Sequence, residues 1–234
     1  MSLPKIFIGT TYCGENEFEL CIKKILNQKG IDITCHHIVQ NKPILEAFED
    51  MYSTWTKFKY DNNMFVQIDA DIILYKDTTI LDIYNTIKNT EYNVISYPVF
   101  DHFTNTNIWA LNSYKNSVEF SKLENKYKPD MEFKHAIRFP GITLDSAAVA
   151  EHAPNPKKLH AFHYGWHREL RSDISHGQKR ILKNLYNAPK TLTRTIAIRG
   201  VEAARLYKSR NKDTSPIEYT NSVFVDYYEK YSNP

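Results

Sequence analysis

The sequence predicts an α/β fold in which helices flank a mostly parallel central sheet, with a helical tail at the C-terminal end. Two observations predict this fold. Short apolar segments alternate with amphipathic segments over residues 5–97, and the order strand, helix, strand, helix, strand favours parallel strands joined by crossover helices. The short segments are also apolar almost throughout, which is typical of strands that are covered on both faces.

The first elements follow from local patterns. Lys5–Thr11 has the pattern of a buried strand, and apolar residues at helical spacing predict a helix over Glu17–Leu26 that Gly30 can end. Asp32–Val39 is the second predicted strand. Pro43 can open a second helix, because proline is accepted at the first helical position, and its apolar face extends to Trp55.

A third strand, Met64–Ile68, leads directly into Asp69-Ala70-Asp71 and a further apolar segment over residues 72–75. We then predict a helix over Thr79–Asn89 and a strand over Asn93–Tyr97. Residues 98–156 have an irregular pattern of short strands and turns, residues 159–166 are aromatic and predicted to be extended, and the chain after Ser172 is helical and basic.

Composition limits the class of protein. The chain has 42% apolar and 24% charged residues, an ordinary globular composition. No apolar run approaches the roughly 18–20 residues of a membrane span. Three cysteines without disulfide or metal spacing fit a reducing compartment, and the start of the sequence lacks a signal-peptide pattern. We therefore expect a cytoplasmic protein.

The positive charge is concentrated in one part of the chain. Residues 157–212 hold fourteen Lys and Arg against three acids, whereas the whole chain has a net charge of +3. This skew is compatible with a phosphate-bearing ligand, an anionic membrane surface to which the protein binds peripherally, nucleic acid, or a solvated helical face.

Two carboxylates close the third strand. Asp69 and Asp71 are two residues apart, so along an extended chain their side chains point to the same side. Parallel sheets bind ligands at the carboxyl ends of their strands, and carboxylate oxygens suit Mn²⁺ or Mg²⁺. Such a cation can bridge a diphosphate and offset the charge of a leaving nucleotide.

This arrangement, an Asp-x-Asp at the end of a buried strand after two β-α units, resembles the GT-A class of glycosyltransferases over residues 5–100. The resemblance implies a catalytic domain over 1–171 with a Rossmann-like nucleotide-binding half, and a basic helical extension over 172–234. It also implies that Asp69 contacts the ribose or the metal and that Asp71 binds the metal more directly.

A second segment, His163-Tyr164-Gly165-Trp166-His167-Arg168, is similar to a C-terminal segment of glycogenin-like transferases and of family-2-like bacterial transferases. The resemblance implies His163 as a metal ligand, Gly165 as a position of close approach to the phosphates and Arg168 as their partner. The sequence departs from the glycogenin form at Arg168, which replaces Lys, and at Glu169-Leu170, which replaces Pro-Trp. A zinc site on His160, His163 and His167 is the alternative, which a helix would permit and which Gly165 and the aromatic residues argue against.

Further candidates come from the donor and acceptor sides. By the same resemblance, Thr10, Thr11 and Tyr12 contact the nucleotide, with Tyr12 stacked on the base, and Gln40 lies at the edge of the same crevice. An inverting enzyme needs a general base. Candidates are Asp101 and Asp145, with Asp130 and Glu132 behind them.

The sequence thus predicts a metal-dependent enzyme that moves a sugar, a hexose, from a UDP-sugar to a hydroxyl of a glycan, a lipid-linked glycan or a protein. One alternative is a nucleotidyltransferase, although residues 10–15 contain one glycine and no basic residue where that class has a glycine-rich basic loop. The other is a non-enzymatic module that binds nucleic acid or membrane through the basic half. We expect no nucleic-acid partner, and the oligomeric state stays open.

Overall fold

The computed structural model describes residues 2–121, 133–134, 146–173, 176–211 and 218–232. Nine strands lie within this part of the chain: β1 (Lys5–Tyr12), β2 (Asp32–Gln40), β3 (Met64–Gln67), β4 (Ile72–Leu74), β5 (Val94–Asp101), β6 (Thr106–Lys115), β7 (Glu119–Phe120), β8 (Phe133–Lys134) and β9 (Ala150–His152). The same residues form seven helices: α1 (Phe18–Leu26), α2 (Ile44–Phe58), α3 (Thr79–Lys88), α4 (Lys158–Leu170), α5 (His176–Asn187), α6 (Leu192–Arg210) and α7 (Ser222–Tyr231).

The fold is α/β, as predicted, but the prediction of a mostly parallel sheet is wrong. The seven-stranded sheet has the order β2-β1-β3-β6-β5-β9-β4, in which β1 pairs parallel with β2 and with β3. β3 pairs antiparallel with β6, and β4 pairs antiparallel with β9. The turn between β5 and β6 spans only residues 102–105, far less than the dozen or more residues that a parallel crossover needs.

The chain forms two compact units. The first comprises Met1–Phe100 and Asn107–His152, and the second comprises Asp101–Thr106 and Ala153–Pro234. Contacts therefore place residues 153–171 with the helical tail. The division into a catalytic domain over 1–171 and an extension over 172–234 concerns function and stays a prediction.

Alternation along β1 builds two apolar layers of the first unit. Ile6 and Ile8 face a cluster that includes Ile25 of α1 and Ile83 of α3, whereas Phe7 faces Trp55 of α2. Successive side chains of a strand point to opposite faces, so one apolar strand holds helices on both sides. This double cover leaves the ends of the strands as the place where polar groups meet.

The second unit is helical. α4 packs along α6, where the rings of Trp166 and Tyr207 lie 5.6 Å apart, and Phe162 of α4 lies 6.0 Å from Phe224 of α7. In the described part of the chain, no helix is both long enough and apolar enough to cross a membrane.

Candidate functional site

The first candidate site lies where β1 and β3 end. Because β1 is parallel to β2 and β3, the carboxyl ends of all three strands lie at one edge of the sheet. The chain continues beside β1 after β3, with the Ile68 amide donating to the Gly9 carbonyl at 3.0 Å and the Ala70 amide to the Thr11 carbonyl at 3.1 Å. Asp69 therefore lies beside the last residues of β1.

Asp69 is held by its neighbours in that strand and in α1. The Thr11 hydroxyl donates to Asp69 Oδ1 at 2.8 Å, and Cys21 Sγ lies 3.7 Å from the Asp69 carbonyl oxygen. In the structure Thr11 orients the first aspartate, and its predicted contact with the nucleotide stays a prediction. A carboxylate that is oriented in advance loses less freedom when it binds a cation.

Asp71 lies next to a histidine that the sequence analysis missed. His152 Nε2 is 3.2 Å from Asp71 Oδ2, and the two side chains are 13% and 24% exposed. The sheet brings them together, because His152 pairs with Ile72 in the β9–β4 register. The signal in the sequence is weak but present: His152 follows an apolar run over residues 147–150, as Asp69 follows Met64–Ile68.

Glu15 adds a third carboxylate to the neighbourhood. Gly14 has a φ of 95°, a conformation that favours glycine, and the turn places Glu15 Oε2 2.6 Å from the Cys13 amide, which donates to it. Burial raises the pKa of Glu15 to about 7, and repulsion from Asp71 and Asp69 adds to the rise. The hydrogen bond from the Cys13 amide lowers the pKa but does not outweigh burial. Burial raises the pKa of Cys21 as well, with further contributions from Asp71, Asp69 and Glu15.

A divalent cation fits this electrostatic arrangement. Three carboxylates repel one another in a partly buried place, and positive charge near them would remove that repulsion. Among the described residues, no group of three or more His, Cys, Asp and Glu side chains is arranged to hold a metal ion by itself. Mg²⁺ in particular commonly takes one or two carboxylates and completes its shell with substrate phosphates and water. Asp69 and Asp71 can supply that minimal set.

The other nucleotide candidates line the same sheet edge. The Thr10 hydroxyl is buried and lies 3.0 Å from His36 Nε2, and burial, with the neighbouring His37, lowers the pKa of His36 to about 4. Tyr12 is stacked on Phe18, with ring centroids 4.0 Å apart and 24° between planes, so one ring face is occupied from within the chain. Gln40 is exposed and is the register partner of Tyr12.

Asp101 belongs to the second unit and serves its local structure. Its carboxylate accepts hydrogen bonds from the amides of Phe103 and Thr104, from the Thr104 hydroxyl at 2.6 Å and from the Tyr164 hydroxyl at 2.7 Å, and its side chain is fully buried. A general base must reach the acceptor hydroxyl, and these four donors occupy this carboxylate. The geometry therefore does not support the prediction that Asp101 is the general base. Asp145, like Asp130 and Glu132, lies outside the described residues.

The histidine segment lies on a helix, so the prediction of an extended chain over residues 159–166 is wrong. α4 spans Lys158–Leu170 and carries His163, whose ring lies 3.8 Å from that of Tyr219 and 5.2 Å from that of His167. His163 belongs to the second compact unit, whereas Asp69 and Asp71 belong to the first. Its part in a metal shell stays a prediction.

Gly165 lies where helix α4 packs closely against helix α6, so a glycine is needed at this position of the helix. A Cβ added at Gly165 would lie 1.8 Å from the Ala197 carbonyl oxygen of α6, and one at Gly200 would lie 2.0 Å from the Phe162 carbonyl oxygen of α4. The two glycines thus let the backbones of α4 and α6 touch. This packing accounts for Gly165 without any phosphate, and the predicted phosphate contact has no support from the geometry.

Arg168 also has partners inside the second unit. Its guanidinium lies over the Tyr164 ring at 5.0 Å, and Nη1 donates to Gln178 Oε1 at 3.2 Å. The zinc alternative gains the helix that it required, with His160, His163 and His167 on one face. Yet the His163 and His167 rings are stacked at 22° to each other, and the described residues contain no group of three ligands arranged for a metal.

Comparison with known proteins adds no assignment. No protein-family model matches the chain, and no curated protein is significantly similar to it.

Proposed function

We propose that the chain is a metal-dependent glycosyltransferase of the GT-A type, which transfers a sugar from a nucleotide diphosphate, with UDP as the expected nucleotide, to a hydroxyl acceptor. The observation that carries the proposal is the arrangement of Asp69 and Asp71 at the carboxyl end of the parallel strands. Thr11 holds one of these aspartates and His152 the other. Ligand sites of α/β sheets lie at this edge.

Each residue of the cluster has a part in this proposal. Asp69 and Asp71 would hold Mn²⁺ or Mg²⁺, which when bound would offset the charge that develops on the leaving diphosphate. Thr11 orients Asp69, and His152 orients Asp71 or joins it as a ligand through Nε2. The pKa of Glu15 is raised to about 7 by burial and by repulsion from Asp71 and Asp69, so a cation bound beside these aspartates would favour the ionised form of Glu15.

The nucleotidyltransferase alternative fits less well. That class places basic residues in the loop after the first strand, where they meet a triphosphate. In this chain the loop carries Glu15, whose carboxylate is close enough to Asp71 and Asp69 for their charges to raise its pKa. Residues 10–15 also contain no basic residue, so this loop lacks the positive charge that the nucleotidyltransferase class offers to a triphosphate.

The proposal predicts that nucleotide binding requires a divalent cation. UDP should raise the thermal unfolding midpoint in the presence of Mn²⁺ and leave it unchanged in EDTA, because the carboxylates repel a bare diphosphate. Ligand at 100 times its dissociation constant stabilises by about 2.7 kcal/mol, which a thermal-shift assay resolves. GDP, CDP and ADP serve as comparisons for the base. Equal stabilisation with and without metal, or none by any nucleotide diphosphate, would contradict the proposal.

His152 and His163 make competing predictions about the metal shell. We expect His152→Ala to weaken Mn²⁺-dependent UDP binding about 10- to 100-fold, the usual cost of losing a residue that supports a metal site. Isothermal titration of both alanine variants measures this effect. His37→Ala is the matched control, because His37 Nε2 also lies 3.2 Å from an aspartate oxygen, that of Asp50, away from the Asp-x-Asp. A loss with His163→Ala and none with His152→Ala would restore the sequence-based assignment.

A further inference from the structure

The basic charge of residues 157–212 has no part in the proposed transfer reaction, and the structure gathers some of it around a pocket. The end of α4, α5 and α6 line an open pocket of about 360 Å³ in the second unit. Its charged lining residues are Lys179 and Lys183 of α5, Arg205 of α6 and Glu169 of α4. Pockets that bind small molecules begin at about this volume.

The single acid in the lining is already neutralised. Glu169 is buried, and its carboxylate lies 3.2 Å from Arg205 Nε and 3.5 Å from Lys208 Nζ. Lys208 also pairs with the exposed Asp173 at 2.6 Å. The lining holds three cations and one acid. Lys208, Asp173 and Glu202 act on it from close by, which makes four cations against three acids and a net charge of +1. An anion that enters the pocket therefore meets an excess of positive charge.

Three cations share the lining of the pocket. Lys179 and Lys183 are four residues apart on α5, so they lie on the same face of the helix, where like charges destabilise it slightly. Arg205 is fixed in place, because Nη1 donates to the Tyr186 hydroxyl at 3.1 Å and the guanidinium lies 5.4 Å from the centre of that ring. A fixed guanidinium with two nearby ammonium groups is a common arrangement for binding phosphate.

The remaining lining is apolar and aromatic. Leu182 is buried, and Tyr186 is 40% exposed, so both offer carbon surface beside the cations. An inorganic anion would leave this surface wet, whereas a phosphate ester can cover it with its organic part. From this juxtaposition we propose that the pocket of α4, α5 and α6 binds a phosphate monoester, presented either by a small phosphorylated molecule or by a lipid head group. The lining residues belong to the second unit and the Asp-x-Asp to the first. The proposal does not depend on the proposed transfer reaction.

Titration of the full chain with phenyl phosphate tests the soluble form of this ligand, and sedimentation with phosphatidylcholine vesicles, with and without phosphatidic acid, tests the lipid form. The double variant Lys179→Glu/Lys183→Glu should bind whichever probe is active at least about tenfold more weakly, since each lysine can donate a charge-assisted hydrogen bond to the phosphate and glutamate repels it. Tyr186→Ala should weaken phenyl phosphate more than inorganic phosphate, because it removes the ring that packs on the ester group as well as the hydroxyl that holds Arg205.

Lys190→Glu is the control, because this exposed lysine lies between α5 and α6 and outside the lining of the pocket. It should bind as the unchanged chain does, and the far-ultraviolet circular dichroism and unfolding midpoint of all variants show whether they fold. Binding of phenyl phosphate supports a soluble ligand, and binding to phosphatidic acid vesicles alone supports a head group. The proposal is overturned if neither probe binds. Equal losses in the double variant and in Lys190→Glu, including for duplex DNA, would indicate a diffuse basic face and overturn it as well.

Discussion

Asp71→Asn should reduce metal-dependent turnover of the nucleotide sugar at least about 100-fold while the chain stays folded, since metal stabilisation of the leaving group is worth several kcal/mol and each 1.36 kcal/mol is a factor of ten in rate. Asparagine keeps the size of the side chain and its contact with His152, 3.2 Å away, but removes the charge that the cation needs. Release of UDP measured with and without Mn²⁺ gives the effect.

The stability of this variant separates a functional site from a structural one. Removing one of three repelling carboxylates offsets the weaker contact that asparagine makes with His152, so we expect the free energy of unfolding without metal to stay within about 1 kcal/mol of the original. Asp77→Asn is the matched control, because the Asp77 side chain is 46% exposed and forms a surface ion pair with Lys29 at 3.4 Å. Full metal-dependent turnover by Asp71→Asn would remove the Asp-x-Asp from the active site.

Gly165→Ala should destabilise the helical unit by about 3 kcal/mol, at the upper end of the usual cost of overpacking. The new Cβ would meet the Ala197 carbonyl oxygen at 1.8 Å and the Val201 amide nitrogen at 3.0 Å, and both are backbone atoms that no side-chain rotation can move. α4 and α6 must then separate, which weakens the contact between the rings of Trp166 and Tyr207. Urea unfolding followed by circular dichroism measures the loss.

Gly200→Ala should cost a similar amount, and the double variant should cost less than the sum, because helices that have already separated make room for the second methyl group. Glu202→Ala is the control on the exposed side of the same helix and should change stability by less than about 0.5 kcal/mol. A Gly165→Ala variant of unchanged stability that loses Mn²⁺–UDP affinity would instead support the phosphate contact implied by the resemblance.

Local patterns were sufficient for most elements of the first unit. The alternation in Ile6-Phe7-Ile8 and the helical spacing of α1, α2 and α3 depend on neighbours along the chain, and the structure has these elements within a few residues of the predicted bounds. The position of Asp69 at the end of a buried strand follows from the same reasoning. These elements could be predicted because apolar periodicity along a short segment indicates which face of the element is buried.

The order of the strands and the histidine beside Asp71 could not be predicted from local patterns. Nothing in Val94–Asp101 or Thr106–Lys115 states that β6 will lie between β3 and β5, because that choice is made by contacts distant in sequence. His152 is more than eighty residues from Asp71, and the β4–β9 pairing alone brings the two together. The sequence analysis chose His163 from a motif, while an equally simple histidine at the end of a short strand had no motif to mark it.

By itself, the sequence determined an α/β chain with two aspartates at the end of a buried strand and a basic helical tail. The tertiary structure alone decided that the sheet is mixed, that His152 and Glu15 are the neighbours of those aspartates, and that Gly165 lies in a helix against α6. The physical reason is the range of the interactions. Burial patterns and turn residues act over a few positions, whereas strand order, charge clustering and the contact of two glycine-bearing helices exist only once distant segments have packed.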